Sequence, residues 1–206
     1  MKSTLWIIRH GETDWNVAGR LQGQLEVPLN ANGRSQVERL ATRLATEHQR
    51  APFAAIYSSD LGRAMDTASA SARLLKLPIT SRLELRERHF GVLAELTMAE
   101  AEVKHPELFG FLRARDPHFV PSGGESLTQT FERSVAAMIS IAREWPGANV
   151  LVITHGGVLD SVWRHAMKQP ISVKRDHDIH NTSVNVVRVS DDQFELAKWN
   201  DVAHLS

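Results

Sequence analysis

Two histidines in this 206-residue chain each follow an apolar run and precede glycine: Leu5-Trp6-Ile7-Ile8 leads into Arg9-His10-Gly11-Glu12-Thr13, and Val150-Leu151-Val152-Ile153-Thr154 leads into His155-Gly156-Gly157. Glycine lets backbone N–H groups come close to an anion, a guanidinium matches phosphate geometry, and imidazole is also a nucleophile toward phosphorus. Taken singly, His10 equally fits a loop histidine that only hydrogen-bonds, and His155 a satisfied core histidine. Arg63, in Ser58-Ser59-Asp60-Leu61-Gly62-Arg63-Ala64, falls near the start of a predicted helix. A cation there is opposed by the helix dipole, by roughly 0.3–1 kcal/mol when exposed, so either a bound anion or solvation must account for it. Glu87, in Leu85-Arg86-Glu87-Arg88-His89-Phe90-Gly91, is the group of this set able to hand a proton to a leaving oxygen. Like charge from a bound dianion favours the protonated carboxyl; two flanking arginines fit a surface salt bridge just as well.

The elements that must position these residues alternate in type. Leu5–Ile8 reads as a buried strand, 32–48 as an amphipathic helix, Phe53–Tyr57 as a second strand, and 61–76 as a helix with its N-cap in Ser58-Ser59-Asp60. A poorer strand is expected within 79–85, then an inserted lid of short helices and loops over about 92–124, a long helix over 126–143, a clear strand at 149–154 and a helix to about Met167. Residues 183–199 suggest a closing hairpin turning at Asp191-Asp192. Strands alternating with helices imply an α/β fold with a mostly parallel sheet, whose ligands bind beyond the carboxyl ends of the strands. Arg9, His10 and His155 fall at such ends.

Composition narrows the chemistry. Lys plus Arg is 24 and Asp plus Glu is 24, so no global field draws the chain to nucleic acid or to an anionic membrane, and an anion site must be local. With zero cysteines there is no disulfide, thiolate zinc site or cysteine nucleophile. The first ten residues hold four consecutive apolar residues before a charge, too few for a signal peptide or a span, and the expected location is cytoplasmic. Asp176-His177-Asp178-Ile179-His180 reads as a solvated loop rather than a metal site.

In order along the chain, Arg9-His10-Gly11-Glu12-Thr13, Asn16, Arg20-Leu21-Gln22-Gly23, Pro28-Leu29 with Gly33, Ser58 to Ala64, Glu87 with Phe90-Gly91, Gly123-Gly124-Glu125-Ser126 and Thr154-His155-Gly156-Gly157 resemble the histidine phosphatase superfamily, in its phosphoglycerate-mutase-like branch. The resemblance covers nearly the whole chain. It implies one domain over 1–206, a three-layer α/β/α sandwich, and a phosphate pocket at the carboxyl ends of the strands. It makes His10 the nucleophile that becomes phosphohistidine. Arg9, Arg63 and His155 become the clamp on the phosphoryl oxygens, and Glu87 the acid and then the base. Asn16, Gln22, Gly23 and the backbone at Gly156 are expected to contact substrate. His204-Leu205 resembles the closing His-Leu of metal-independent phosphoserine phosphatases, so that His204 either reaches a substrate carboxylate or sits in an unbound tail. Two departures stand out: Leu93-Ala94-Glu95 replaces a frequent Trp-Glu-Gly, and Glu26 stands where many relatives have Asp.

The function implied is hydrolysis of small phosphate monoesters without metal or other cofactor. A cofactor-dependent phosphoglycerate mutase is the alternative, and Lys104, Arg113 and Arg115 are separated where mutases carry paired arginines. A non-catalytic phosphate-binding regulatory protein is the other; the complete set His10, Arg9, Arg63, Glu87 and His155 weighs against it. No nucleic acid or membrane partner is expected, and a homodimer is the family precedent.

Overall fold

A computed structural model describes all residues, 1–206. Strand β1 (Ser3–Arg9) leads through a one-turn helix α1 (Asp14–Val17) to helix α2 (Ala31–Arg50), strand β2 (Phe53–Ser58), helix α3 (Gly62–Leu75) and strand β3 (Ile79–Ser81). Short helices α4 (Met98–Lys104) and α5 (Pro106–Ala114) follow, then α6 (Leu127–Glu144), β4 (Asn149–Thr154), α7 (Gly156–Met167), β5 (Val184–Ser190) and β6 (Gln193–Asp201). The six strands form one sheet in the order β3-β2-β4-β1-β5-β6. β1, β4, β2 and β3 run parallel, and β5 is antiparallel to both its neighbours.

Period-2 alternation along the strands builds the three layers. In β1 and β4, Leu5, Ile7, Val150 and Val152 pack on one face with Met138 and Ile141 of α6 and Leu159 and Val162 of α7. Ile8, Leu151 and Ile153 point the other way, onto Leu40 and Leu44 of α2 and Ala64 and Ala68 of α3. A parallel strand buried on both faces therefore reads as a continuous apolar run, as 150–153 does. Each such side chain withdrawn from water contributes about 1.5–3 kcal/mol. The β5–β6 hairpin turns where expected: Asp191 and Asp192 both take positive φ, 47° and 64°, the geometry a two-residue turn between twisted strands requires.

Local differences from the sequence reading have physical causes. The strand expected within 79–85 is confined to Ile79–Ser81, and Leu83–Leu85 is a 3-10 turn that buries Leu85. Helix α3 has Leu61, not Asp60, at its N-cap. Asp60 is instead drawn into a two-bonded ion pair with Arg86. The exposed N–H of Gly62 is met by Glu26 Oε2 at 3.0 Å, which gives the departure at position 26 a structural task. No helix is long and apolar enough to cross a membrane.

Candidate active site

Strand register brings the two histidines together. In the β1–β4 pairing Arg9 lies opposite Thr154, so the next residues, His10 and His155, leave the sheet side by side, with ring centroids 5.1 Å apart. Next door, Ser58 of β2 pairs with Ile153, which places Ser59 Oγ 2.8 Å from His155 Nε2. Both histidines are buried, and burial, reinforced by nearby arginines, pushes both imidazoles well below their usual pKa. They are neutral at physiological pH.

The hydrogen bonds of His10 fix its tautomer. Nδ1 lies 2.7 Å from the carbonyl of Gly11, which can only accept, so Nδ1 carries the proton. Nε2 therefore keeps its lone pair, and Arg63 Nε–H donates to it at 3.3 Å. Arg63 is 1% exposed, and its other nitrogens donate to the carbonyls of Leu25 and Gly23. The helix-start cation is thus enclosed in the site rather than solvated. Gly11 is required by packing: a Cβ there would stand 2.8 Å from Val37 Cγ2 and 2.9 Å from the Gly33 carbonyl.

Arg9 Nη1 donates to the Ile179 carbonyl at 2.6 Å, while its buried Nε has no partner. Burial lowers the Arg9 pKa to about 10; Glu87 opposes that shift, and Arg175 and Arg63 add to it. Asn16 Oδ1 accepts from Thr13 and from Asn181 Nδ2, which leaves its amide N–H₂ for the cavity it lines. Asn181 also donates to the His10 carbonyl, so a loop with no signature in the sequence holds the His10 turn from behind.

Glu87 is tied to a helix N-terminus. His155 at the N-cap of α7 provides no side-chain cap, and the N–H of Gly157 donates to both Glu87 oxygens, at 3.2 and 3.0 Å, with a third bond from the N–H of Arg88 at 2.7 Å. A Cβ on Gly157 would overlap Glu87 Oε1; one on Gly156 would meet nothing closer than Arg9 Nε at 3.7 Å.

These residues border a cavity of about 830 Å³ lined by His10, Asn16, Gln22, Gly23, Glu87 and Gly156, by nine cationic side chains, and by Glu87 and Asp160 as its carboxylates. In a chain with no net charge, this is a local concentration of positive charge, the kind of place where any anion site has to lie. His155 is fully enclosed behind His10 and does not itself line the cavity; its Nδ1 is buried without a partner. The segment 92–124 supplies Met98, Leu112, Arg113, Ala114 and Arg115 to one wall, while Leu108, Phe109 and Phe119 pack beneath it on Leu93 and Leu96. His204 is not at the cavity. Residues 203–205 form a 3-10 turn docked on α2, and the His204 ring sits between Arg43 and Thr182 at 3.3 and 3.1 Å. Of the two alternatives for His204, neither an unbound tail nor a place in the cavity lining is seen: the tail is held through Thr182 and through Arg43, which pairs with Asp201. His177 is likewise no solvated loop residue; it stacks on Trp163 at 3.8 Å, beside Trp199.

Sequence reasoning missed Ser59, Arg88, Arg175 and Asn181. Arg88 stood beside Glu87 as a signal; Arg175 and Asn181 lie in an aperiodic loop and carried none.

Comparison with known proteins agrees with this geometry. Residues 5–202 match the model of the histidine phosphatase superfamily, branch 1. A metal-independent phosphoserine phosphatase of Arabidopsis thaliana is 41% identical over 97% of this chain and 82% of its own length, and phosphoglycerate mutase-like protein 4 of the same plant is 40% identical over 97% and 85%. The solved structure of Bacillus stearothermophilus YhfR superposes with a TM-score of 0.88 at 32% identity, covering 99% of this chain and 100% of that one. The chain belongs to branch 1 of the histidine phosphatase superfamily.

Proposed function

We propose that this protein is a metal-independent phosphatase that hydrolyses small phosphate monoesters through a phosphohistidine on His10. The observation that carries the reading is the neutral His10 with its Nδ1 proton on the Gly11 carbonyl and its Nε2 lone pair at the arginine-lined cavity.

In the first step the Nε2 lone pair attacks phosphorus, the P–N bond forms, the ester P–O bond breaks, and the Glu87 carboxyl proton goes to the leaving oxygen. The Gly11 carbonyl receives the Nδ1–H of the charged ring. Arg9, Arg63 and the Asn16 amide hold the three phosphoryl oxygens, with His155 behind them. In the second step the Glu87 carboxylate takes a proton from water, the water oxygen attacks phosphorus, and the P–N bond breaks to return the lone pair to Nε2. Phosphoryl transfer is mainly positioning and charge stabilisation, and fixed guanidinium groups supply both. Gln22 and Gly23 form the wall beside Arg63, and the segment 92–124 serves as a lid over one domain spanning 1–206.

Relatives named as a phosphatase and as mutase-like make the product assay decisive. With chelator present, the protein should release inorganic phosphate from p-nitrophenyl phosphate, phosphoserine or sugar phosphates, and His10→Ala should release none while folding normally. Conversion of 3-phosphoglycerate to 2-phosphoglycerate without net release would make it a mutase, and release undiminished by His10→Ala would overturn the reading. A cytoplasmic location suits a chain without cysteine. The homodimer is carried by family precedent and is checked by sedimentation.

A further inference from the structure

Of the residues other than glycine that take positive φ, Thr182, at 56°, is the β-branched one. That conformation crowds a branched Cβ, and a residue persists in it only where its surroundings over-determine it. Thr182 is fully buried, at the third position of a turn closed by the Ser183 N–H on the His180 carbonyl at 3.1 Å. Positive φ at that position ordinarily calls for glycine or asparagine.

The turn grips the end of the catalytic strand. The Thr182 N–H donates to the Arg9 carbonyl at 3.0 Å and, more weakly, to the His10 carbonyl at 3.4 Å. Asn181 Nδ2 donates to the same His10 carbonyl at 2.9 Å. Both carbonyls of the Arg9-His10 step are thus held by residues 181–182.

The Thr182 side chain is held in turn by the end of the chain. His204 Nδ1 lies 3.3 Å from Arg43 Nη1; a guanidinium only donates, so Nδ1 accepts, and Nε2 carries the proton and donates to Thr182 Oγ1 at 3.1 Å. Burial, with the Arg43 charge added, brings the His204 pKa down to about 4, which keeps the ring neutral. Arg43 is aimed by two bonds to Asp201, at 3.0 and 2.6 Å, and Asp201 Oδ1 also accepts from the Ala203 N–H at the start of the last turn. A continuous path of contacts therefore runs from Arg43 on α2 through His204 and Thr182 to the Arg9-His10 backbone.

We infer that His204 is a positioning residue: its Nε2–H holds Thr182 in the left-handed turn, and Thr182 fixes the backbone that aims His10 into the cavity. For rate, this rests on the reading of His10 as nucleophile; for geometry it does not.

His204→Ala, Thr182→Val and the double variant test it, with His204→Gln as the conservative replacement, since a glutamine amide can accept from Arg43 and donate to Thr182. A misplaced group costs about 10²-fold per ångström, so partial release of the turn should slow single-turnover formation of phosphohistidine roughly tenfold in His204→Ala. Inorganic phosphate should still bind, because Arg63 is held independently by the carbonyls of Gly23 and Leu25. His204→Gln should recover most of the rate, and the double variant should be no slower than Thr182→Val, because both changes break one contact. The readout free of turnover is the imidazole 15N spectrum: the His10 Nδ1–H signal, assigned by its loss in His10→Ala, should move in His204→Ala and stay in place in His204→Gln. A wild-type rate in His204→Ala, an unmoved His10 signal, or losses that multiply in the double variant would overturn the inference. A His10 signal that moves as expected in a protein that hydrolyses no ester would uphold the positioning role and overturn the phosphatase reading instead.

Discussion

Gly157→Ala changes no chemical group yet should disable the acid. The added Cβ occupies the place of Glu87 Oε1 and comes to 3.2 Å from the carboxyl carbon, so the carboxylate must swing aside by about 1 Å and lose its bonds from the Gly157 N–H. A misplacement of that size costs about 10²-fold in rate, within the range of about 10²–10⁴ for a positioned acid. The obstructing atom is the end of a flexible side chain and Gly157 sits in α7, where alanine is the better helix former, so stability should be kept or slightly raised. Gly156→Ala is the matched control, its Cβ meeting only ordinary contacts. The assay is single-turnover and steady-state hydrolysis of an alkyl ester beside p-nitrophenyl phosphate. For Gly157→Ala the alkyl ester should lose about two orders of magnitude in the first step, while a burst of p-nitrophenol survives because that leaving group needs less protonation. Full activity of Gly157→Ala on the alkyl ester, or equal losses in the two glycine variants, would refute the placement of Glu87 as proton donor.

Other perturbations follow from the same contacts. His10 and His155 are held neutral by burial, with folded pKa values below the unfolded 6.5, so the unfolded chain binds more protons below that pH. Stability should therefore fall as pH drops through about 6, and His10→Gln should flatten the slope by about 1.4 kcal/mol per pH unit in urea titrations at pH 5 to 6. Asp201 has the same sign in a lower pH window: its hydrogen bonds with Arg43 depress its pKa, so its contribution is present above the unfolded value of about 3.9 and lost as pH falls through the lower folded value. Asp201→Asn should cost about 1 kcal/mol at pH 7, and the difference from wild type should vanish in strong acid.

Much of the site was legible because its members sit where strands end. Apolar runs at 5–8 and 150–153 locate β1 and β4, and each histidine follows directly. The pairing of Arg9 with Thr154 that makes them neighbours is a register, which no local pattern encodes. Arg63 was visible as a cation at an unfavourable helix position, whereas its enclosure depends on carbonyls from Gly23 and Leu25, forty and thirty-eight residues away in the chain. Asp60 looked like an N-cap by type, and the competing bond from Arg86 decided otherwise. Arg175 and Asn181 escaped notice because the stretch between α7 and β5 has neither period, and its place is fixed by long-range bonds to Arg9 and His10. His204 was read through its neighbours in sequence, while its position is set by Arg43 on α2.

The central claim is that phosphate passes through Nε2 of His10. Rapid quenching of the enzyme with a turned-over ester, in the presence of chelator, followed by peptide mass spectrometry under alkaline conditions, tests it most directly. The account predicts one phosphoryl group per chain on the peptide containing His10, acid-labile and absent from His10→Ala. Phosphate release at the wild-type rate with no phosphohistidine at position 10, or with the label on another residue, would contradict it.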